Sequence, residues 1–227
     1  MSSSATKGKL GGQGSFASDK PGTPGSLAGG DTKKQPAAAF LPKFPKKPID
    51  YETVSRYNHA GVSYLAEGKP EQAIEWFDRA LAIQSDCSQS YVGRGMAETM
   101  LKAYERAEED FNKALSLNPS FAGAYIELAR LKIETGDVDA ALLFFSKAIE
   151  LDSGSFAAHY NRALCWYFYK QDTEGALEDL GMAIRLRPNN ALAYALRARI
   201  RIARGELALA GMDIQLARDN GFAGKIV

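Results

Sequence analysis

The sequence predicts an all-α solenoid, because three observations agree along residues 54–224. One pattern returns about every 34 residues, five times in succession. Within each copy the apolar residues recur at helical spacing, and a small Ala follows a large apolar residue after three positions, as in Phe77 and Ala80. Gly or Pro stands at several positions where a helix would end. A period of this length indicates one supersecondary unit stacked on copies of itself.

The chain before the repeats has a different composition. Residues 1–48 are rich in Gly, Ser, Pro, Ala and Lys, and bury too little apolar surface to offset the entropy of ordering. We expect a disordered or extended basic arm over 1–48, then a junction over 49–53. Eight Lys against Asp19 and Asp31 give the arm a net charge of +6, which leaves −5 on the remainder. This separation suggests a polyanionic partner, or an arm that lies on its own body.

Each repeat is predicted to be a pair of helices joined by a short turn. The first helix carries an aromatic residue or His at its fourth position and a small residue at its eighth. The second helix carries Ala where two helices would pack closely, and the last one is expected over about 206–219. A tail follows at 225–227. The predicted repeats are 54–87, 88–121, 122–155, 156–190 and 191–224.

These motifs resemble the tetratricopeptide repeat (TPR) family. The resemblance rests on Y-x3-G-x2-Y at 57–64, on the triplets of Ala, large apolar residue and Ala, and on NPS and RPNN at repeat ends. It implies a right-handed superhelix of five helix-turn-helix units and a non-catalytic scaffold or assembly factor. Departures are Glu98 and Lys132, which stand where the family has an aromatic residue, and repeat 5, which ends without Pro.

Two columns of the repeat change together. Position 7 lies on the first helix and position 23 on the second, and antiparallel helices would bring the two face to face. Where position 7 is Arg, position 23 is Asp; where it is apolar, position 23 is aromatic, as in Leu128 and Phe144. The alternatives are solvated charges or arginines that bind a ligand. We expect three pairs, in which the planar Arg fork can bind a carboxylate twice: Arg94–Asp110, Arg162–Asp179 and Arg197–Asp213.

The resemblance also implies a concave groove lined by the first helices, which would hold an apolar helix or an extended segment of a partner. Tyr167 and Phe168 belong to a run of four aromatics and are the best candidates for anchors, unless a one-residue insertion buries them. The groove positions are Val62, Leu65, Val92, Met96, Ile126, Arg130, Ile133, Tyr160, Leu164, Tyr167, Phe168, Arg199 and Ile202.

Two further segments are candidates for docking. Phe40, Leu41 and Phe44 are isolated apolar residues among Pro and Lys, which is typical of a docking segment or of a plain linker. On the last helix, Leu209, Met212 and Leu216 share one apolar stripe. Something outside the fifth repeat is expected to cover that stripe: the tail GFAGKIV at 221–227, a second copy or a different protein. We expect a partner or self-association, because seven residues with two Gly make a poor cover.

Catalysis, metal sites and cofactors are not expected. His59 and His159 are far apart, Cys87 and Cys165 lack metal-ligand spacing, and no phosphate loop follows a strand. Two thiols without a disulfide framework favour a reducing, cytoplasmic compartment, and organelle targeting is not favoured.

The expected partners are proteins, within a multi-subunit complex, with self-association through the C-terminal end as an option. The Lys and Asn positions that hold a chaperone's C-terminal peptide in other family members carry different residues here, such as Asn58 and Val62. The second hypothesis is an electrostatic tether, in which the Lys-rich arm binds anionic lipid, nucleic acid or an acidic protein. Aromatic interleaving is too thin to favour nucleic acid, and membrane contact would be peripheral.

Overall fold

The computed structural model describes residues 49–226, and within that range it contains ten α-helices and no strand. Three or four residues join the two helices of a pair, so that each pair is antiparallel. Each pair packs on the next along the chain. The all-α repeat architecture is thereby confirmed. The pairs are α1 (Tyr51–Ala66) with α2 (Pro70–Ile83), α3 (Ser88–Met100) with α4 (Tyr104–Leu117), α5 (Ala122–Glu134) with α6 (Val138–Leu151), α7 (Phe156–Phe168) with α8 (Thr173–Leu186), and α9 (Ala191–Ala203) with α10 (Leu207–Asp219).

The first helix begins earlier than the sequence predicted. The side chain of Asp50 accepts a hydrogen bond from the backbone N–H of Thr53 at 3.0 Å and caps α1, which starts at Tyr51. The expected junction over 49–53 is therefore wrong for residues 51–53, because they form the first turn of a helix. The arm predicted over 1–48 lies outside the described residues.

Left-handed residues end the first helix of every pair. Gly68, Gly136 and Gly205 have φ angles of 72°, 86° and 76°, a region that suits Gly. Lys102 and Gln171 take the same role at φ 60° and 54°. The extra residue of the fourth repeat lies in the turn between α7 and α8, which is four residues long where the other four turns have three.

A column of large side chains forms the centre of the array. Phe77, Phe111 and Phe145 lie on α2, α4 and α6 and are at most 1% exposed. Small residues on the first helices make room for them: a Cβ added at Gly61 would lie 2.6 Å from the ring of Phe77. The first helices therefore pack closely on the second ones. The other side of α1, α3, α5, α7 and α9 is called the first-helix face below. It includes Val62, Met96, Arg130, Phe168 and Arg199.

Candidate functional site

The N-terminal half of the first-helix face holds an apolar cavity of about 390 Å³. Val62 and Leu65 of α1 and Met96 and Met100 of α3 form its apolar lining, and α5 closes it. Val62 is 54% exposed and Met100, the last residue of α3, is 47% exposed, so large apolar side chains face the solvent here. Three successive repeats thus contribute to one depression.

The rim of this cavity on α5 is charged. Glu127 and Glu134 line it together with Arg130, whose guanidinium lies 3.5 Å from the Glu127 carboxylate. Burial raises the pKa of Glu127 above its usual value, although Arg130 acts in the opposite direction. The N-terminal cavity therefore combines an apolar floor with a polar edge on one side, as ligand pockets commonly do.

The C-terminal half of the face holds a second depression, of about 530 Å³. Tyr167 and Phe168 of α7 lie on one side and Arg199 and Ile202 of α9 on the other. The two aromatic rings meet edge to face at 4.9 Å, and Phe168 is 52% exposed. Tyr160 and Leu164 line a smaller cavity of about 210 Å³ beside it. The insertion in the turn has not buried Phe168.

Three expected groove residues line none of these three cavities. Val92 is 8% exposed and belongs to the core cluster of α3–α5, so its assignment to the binding surface is wrong. It is buried because Phe111 and Leu128 pack in the same cluster. Ile126 and Ile133 are partly buried against the core of α5 and α6. These three side chains therefore contribute to the packed interior of the repeats and not to the cavities.

The Arg and Asp residues of the covarying columns lie together in all three repeats. Nε and Nη2 of Arg94 donate to the two carboxylate oxygens of Asp110 at 2.8 and 2.7 Å. Arg162 binds Asp179 in the same manner at 2.7 and 2.8 Å, and Arg197 binds Asp213 at 2.9 and 2.7 Å. The three Asp residues are buried. These arginines are therefore engaged inside the protein and are not free for a ligand.

Further polar contacts that the columns did not suggest extend the pairs, and in the third pair Arg201 also donates to Asp213 at 2.8 Å. Arg94 also donates to Asp78 of the preceding repeat at 2.6 Å, and Arg162 to Ser146 at 3.0 Å. His159 Nδ1 lies 2.9 Å from Asp179, and His159 is 5% exposed. A comparison of residues 16 positions before each Arg would have found the contacts with Asp78 and Ser146.

Glu98 and Lys132, which stand where the family has an aromatic residue, also form ion pairs. Glu98 is 1% exposed, and its carboxylate lies 2.5 Å from the guanidinium of Arg106. Lys132 donates to Glu108 at 2.7 Å. The departures from the family pattern are therefore accommodated by ion pairs that join α3 to α4 and α5 to α4.

The apolar stripe of α10 faces outward. Leu209, Met212 and Leu216 are 45%, 64% and 39% exposed. At the same repeat positions α4 carries charged side chains, and those are exposed too: Arg106, Glu109 and Lys113. The residues after α10 do fold back, but they cover a different side, since Ile226 packs on Tyr194, Ala195, Ala198 and Ala217. Of the three covers that the sequence left open for the stripe, this structure therefore does not use the tail.

The remaining chemical candidates lie apart. His59 is exposed, and among residues 49–226 no group of three or more His, Cys, Asp and Glu residues could hold a metal ion. Burial raises the pKa of the Cys165 thiol to about 11. Of the helices in that range, none is long and apolar enough to cross a membrane.

Two models of the tetratricopeptide repeat match the chain, one over residues 58–122 and the other over residues 98–165. The chain is a tetratricopeptide repeat protein. The matched residues include most of α1 to α7, and therefore the N-terminal cavity and the Arg94–Asp110 pair. They include Arg162 of the second pair but not its partner Asp179. In general, TPR units form non-catalytic surfaces for protein interaction.

Curated relatives share the repeats and are much longer. The tetratricopeptide repeat and J domain-containing co-chaperone DNJ1 of Fusarium oxysporum f. sp. lycopersici is 31% identical over 166 residues, which is 67% of this chain and 30% of the relative. Heat shock protein STI1 of Saccharomyces cerevisiae is 29% identical over 131 residues, or 57% of this chain and 22% of the relative. The TPR chain thus spans less than a third of either relative.

Solved structures show the same fold at low identity. PilF of Pseudomonas aeruginosa superimposes with a TM-score of 0.71 at 19% identity, over 77% of this chain and 79% of PilF. YrrB, described as a TPR protein with an unusual peptide-binding site, gives 0.55 at 19% identity, over 76% of this chain and 88% of YrrB. MamA gives 0.60 at 20% identity, over 70% of this chain and 93% of MamA.

Proposed function

We propose that this TPR protein is an interaction scaffold that holds an apolar helix or extended segment of a partner protein on its first-helix face. The observation that carries the proposal is the pair of depressions of about 390 and 530 Å³ on that one face. Both are lined by exposed apolar side chains next to an arginine, Arg130 in one and Arg199 in the other. Aromatic and aliphatic anchors beside an arginine are typical of the residues that dominate binding energy at protein interfaces.

The experiment compares one variant on the face with one beside it. Met100→Glu places a carboxylate on the N-terminal cavity, whereas Leu143→Glu places one on α6, where Leu143 is 71% exposed and outside both depressions. Each protein captures partners from a cell extract, and quantitative mass spectrometry compares the captured proteins. We expect Met100→Glu to lose a defined set of proteins by at least about tenfold, corresponding to about 1.4 kcal/mol, and Leu143→Glu to retain it.

A double variant on the other depression provides an independent test. Tyr167→Ala/Phe168→Ala should lose the proteins whose segments span both depressions, because it removes the two aromatic anchors. Equal capture by the unsubstituted chain, by Met100→Glu and by the double variant would show that the first-helix face is not the binding surface.

The electrostatic tether is the second candidate, favoured by the net charge of +6 on residues 1–48, which lie outside the described residues. A tether predicts that the affinity for phosphatidylserine vesicles falls steeply between 50 and 200 mM salt, on the order of tenfold or more, and vanishes when those residues are deleted. Binding of an apolar segment to the first-helix face should change little over the same range. The salt dependence of the two interactions separates the candidates.

A further inference from the structure

The residues after α10 turn back sharply towards the first-helix face. Gly221 has a φ of 91° and so adopts the left-handed conformation. Its N–H donates to the carbonyl of Arg218 at 2.9 Å, and the N–H of Phe222 donates to the carbonyl of Ala217 at 2.9 Å. These two bonds form the reversal that commonly ends a helix at a glycine. The chain is thereby directed along α9 instead of away from it.

From here on, the tail means residues 220–226. Two of its apolar side chains enter the cluster of α9 and α10. Ile226 is 9% exposed, and Phe222 packs against the same cluster. Ala195 stands at the position where repeats 2 to 4 carry the larger Val92, Ile126 and Tyr160. The small residue leaves space on α9, and Phe222 and Ile226 border the cavity at that point.

Ile226 lines three neighbouring cavities. It borders the cavity of about 530 Å³ beside Phe168, the one of about 210 Å³ beside Leu164, and a third of about 200 Å³ beside Ile214. These three spaces lie along α7, α9 and α10 and share this side chain. The tail thus lies on the same surface to which the proposed function assigns a partner segment.

Side-chain burial alone holds the outer part of the tail. Among the described residues, no hydrogen bond joins Ala223, Gly224, Lys225 or Ile226 to the rest of the chain. Two anchors without a hydrogen-bonded backbone make a contact that a competing segment can displace, particularly as Gly221 and Gly224 allow the chain to swing away.

We propose that Phe222 to Ile226 is a built-in ligand of the first-helix face, and that a partner segment of the same chemistry displaces it. That segment is extended and carries an aromatic residue, then a basic residue three positions later and an aliphatic residue four positions later, as Phe222, Lys225 and Ile226 do. This inference rests on the proposed function, since it concerns the same surface. It adds that the tail occupies the part of the C-terminal surface beside Ala195 until a partner segment displaces it.

The experiment supplies the tail in trans. The probe is a fluorescein-labelled peptide with the sequence of residues 219–227, and fluorescence anisotropy measures its binding to the full chain and to a full-length Phe222→Ser/Ile226→Ser variant. A tail that occupies its site lowers the apparent affinity by the fraction of open molecules. We expect the variant to bind the peptide at least about tenfold more tightly than the unsubstituted chain does, about 1.4 kcal/mol.

The controls test whether the peptide takes the position of the tail. A peptide with Ser in place of both Phe and Ile should not bind, and Phe168→Ala added to the variant should weaken binding. Equal affinity of the unsubstituted chain and the variant would overturn the inference. If circular dichroism shows that the double variant unfolds, Ile226→Ala keeps Phe222 in place and should shift the affinity in the same direction by a smaller factor; no shift would again overturn it.

The two proposals fail in different ways. If partners bind the first-helix face but the peptide binds both chains equally, the tail is not a ligand and the scaffold remains. If the peptide binds the variant tightly but no protein depends on Met100 or on Tyr167 and Phe168, the tail contact stands and the scaffold proposal is wrong.

Discussion

Arg94 and Asp110 bind each other through two parallel hydrogen bonds of 2.8 and 2.7 Å, across the interface of α3 and α4. The side chain of Asp110 is 10% exposed and that of Arg94 is 27% exposed. The hydrogen bonds to Asp110, followed by that to Asp78, raise the pKa of Arg94 above its ordinary value. The pair therefore holds two charged groups at a largely buried interface, and its removal has a defined consequence.

Breaking this pair should destabilise the protein, whereas replacing both members should not. Arg94→Leu leaves the Asp110 carboxylate buried without its partner, and we expect a loss of about 3 kcal/mol. Arg94→Leu/Asp110→Phe copies Leu128 and Phe144 of the third repeat and should recover most of that loss. Urea denaturation followed by circular dichroism measures both variants. A double variant as unstable as the single one would show that the apolar pair does not fit this repeat.

Lys102 is strained where other repeats have Gly. Its φ of 60° lies in the left-handed region, which disfavours side chains by about 1–2 kcal/mol. Because Gly also adds entropy to the unfolded chain, Lys102→Gly should raise stability by only about 0.5–1 kcal/mol. Gly136→Lys is the reciprocal variant and should lower the stability by a similar amount. A Cβ at Gly136 would meet no atom within 4 Å, so the cost comes from the backbone conformation alone. The thermal midpoints of the two variants should move in opposite directions; a shift of both in one direction would refute the explanation.

The stability contribution of Glu127 should depend on pH. Its pKa is raised above the model-compound value of 4.5, chiefly by burial, so the folded state binds the proton more tightly than the unfolded chain does. The associated stability is fully present below pH 4.5 and is lost as the pH rises through the raised pKa. Glu127→Gln should therefore increase the thermal midpoint at pH 7, and the gain should shrink towards pH 4.5. Glu134→Gln removes an exposed carboxylate from the same cavity and controls for net charge. A gain that is constant with pH would contradict this assignment.

The outward stripe of α10 should mediate self-association. Leu209, Met212 and Leu216 are exposed where α4 carries charges, and each aliphatic side chain buried against a second copy contributes roughly 1.5–3 kcal/mol. Met212→Glu should shift the chain towards the monomer in multi-angle light scattering at micromolar concentration. Leu143→Glu, at the corresponding position of α6, should leave the association unchanged. A chain that is monomeric with or without Met212→Glu would exclude this interface.

The repeat period allowed much of the fold to be predicted. The same repeat positions are buried in each copy, so the five copies support one prediction. The Arg and Asp columns likewise predict opposite charges on facing helices. The burial of Val92 was not predictable in this way, because one position serves the surface in some repeats and the core in others, depending on the size of neighbours such as Phe111.

The tail shows the other limit of sequence reasoning. Seven residues with Gly221 and Gly224 have no period, so nothing in them indicates that Phe222 and Ile226 occupy the space beside Ala195. The signal that could have found the contact is the small residue itself, since Ala195 breaks a column of larger side chains. Likewise, the start of α1 at Tyr51 depends on a single capping residue, Asp50, instead of on the repeat.

The alternation between apolar and ionic pairs over the first four repeats also distinguishes each of these repeats from its neighbours. Neighbouring repeats of similar sequence are prone to exchange partners while they fold. If α3 packed on α6 instead of α4, Arg94 would meet Phe144 and Asp110 would have no cation; if α5 packed on α4, Leu128 would face Asp110. Both mistaken assemblies bury an unpaired charge, which is a strong penalty against a wrong partner. The columns that fix the helices of one repeat together thus also keep the first four repeats in order, whereas the fourth and fifth repeats carry the same ionic pair.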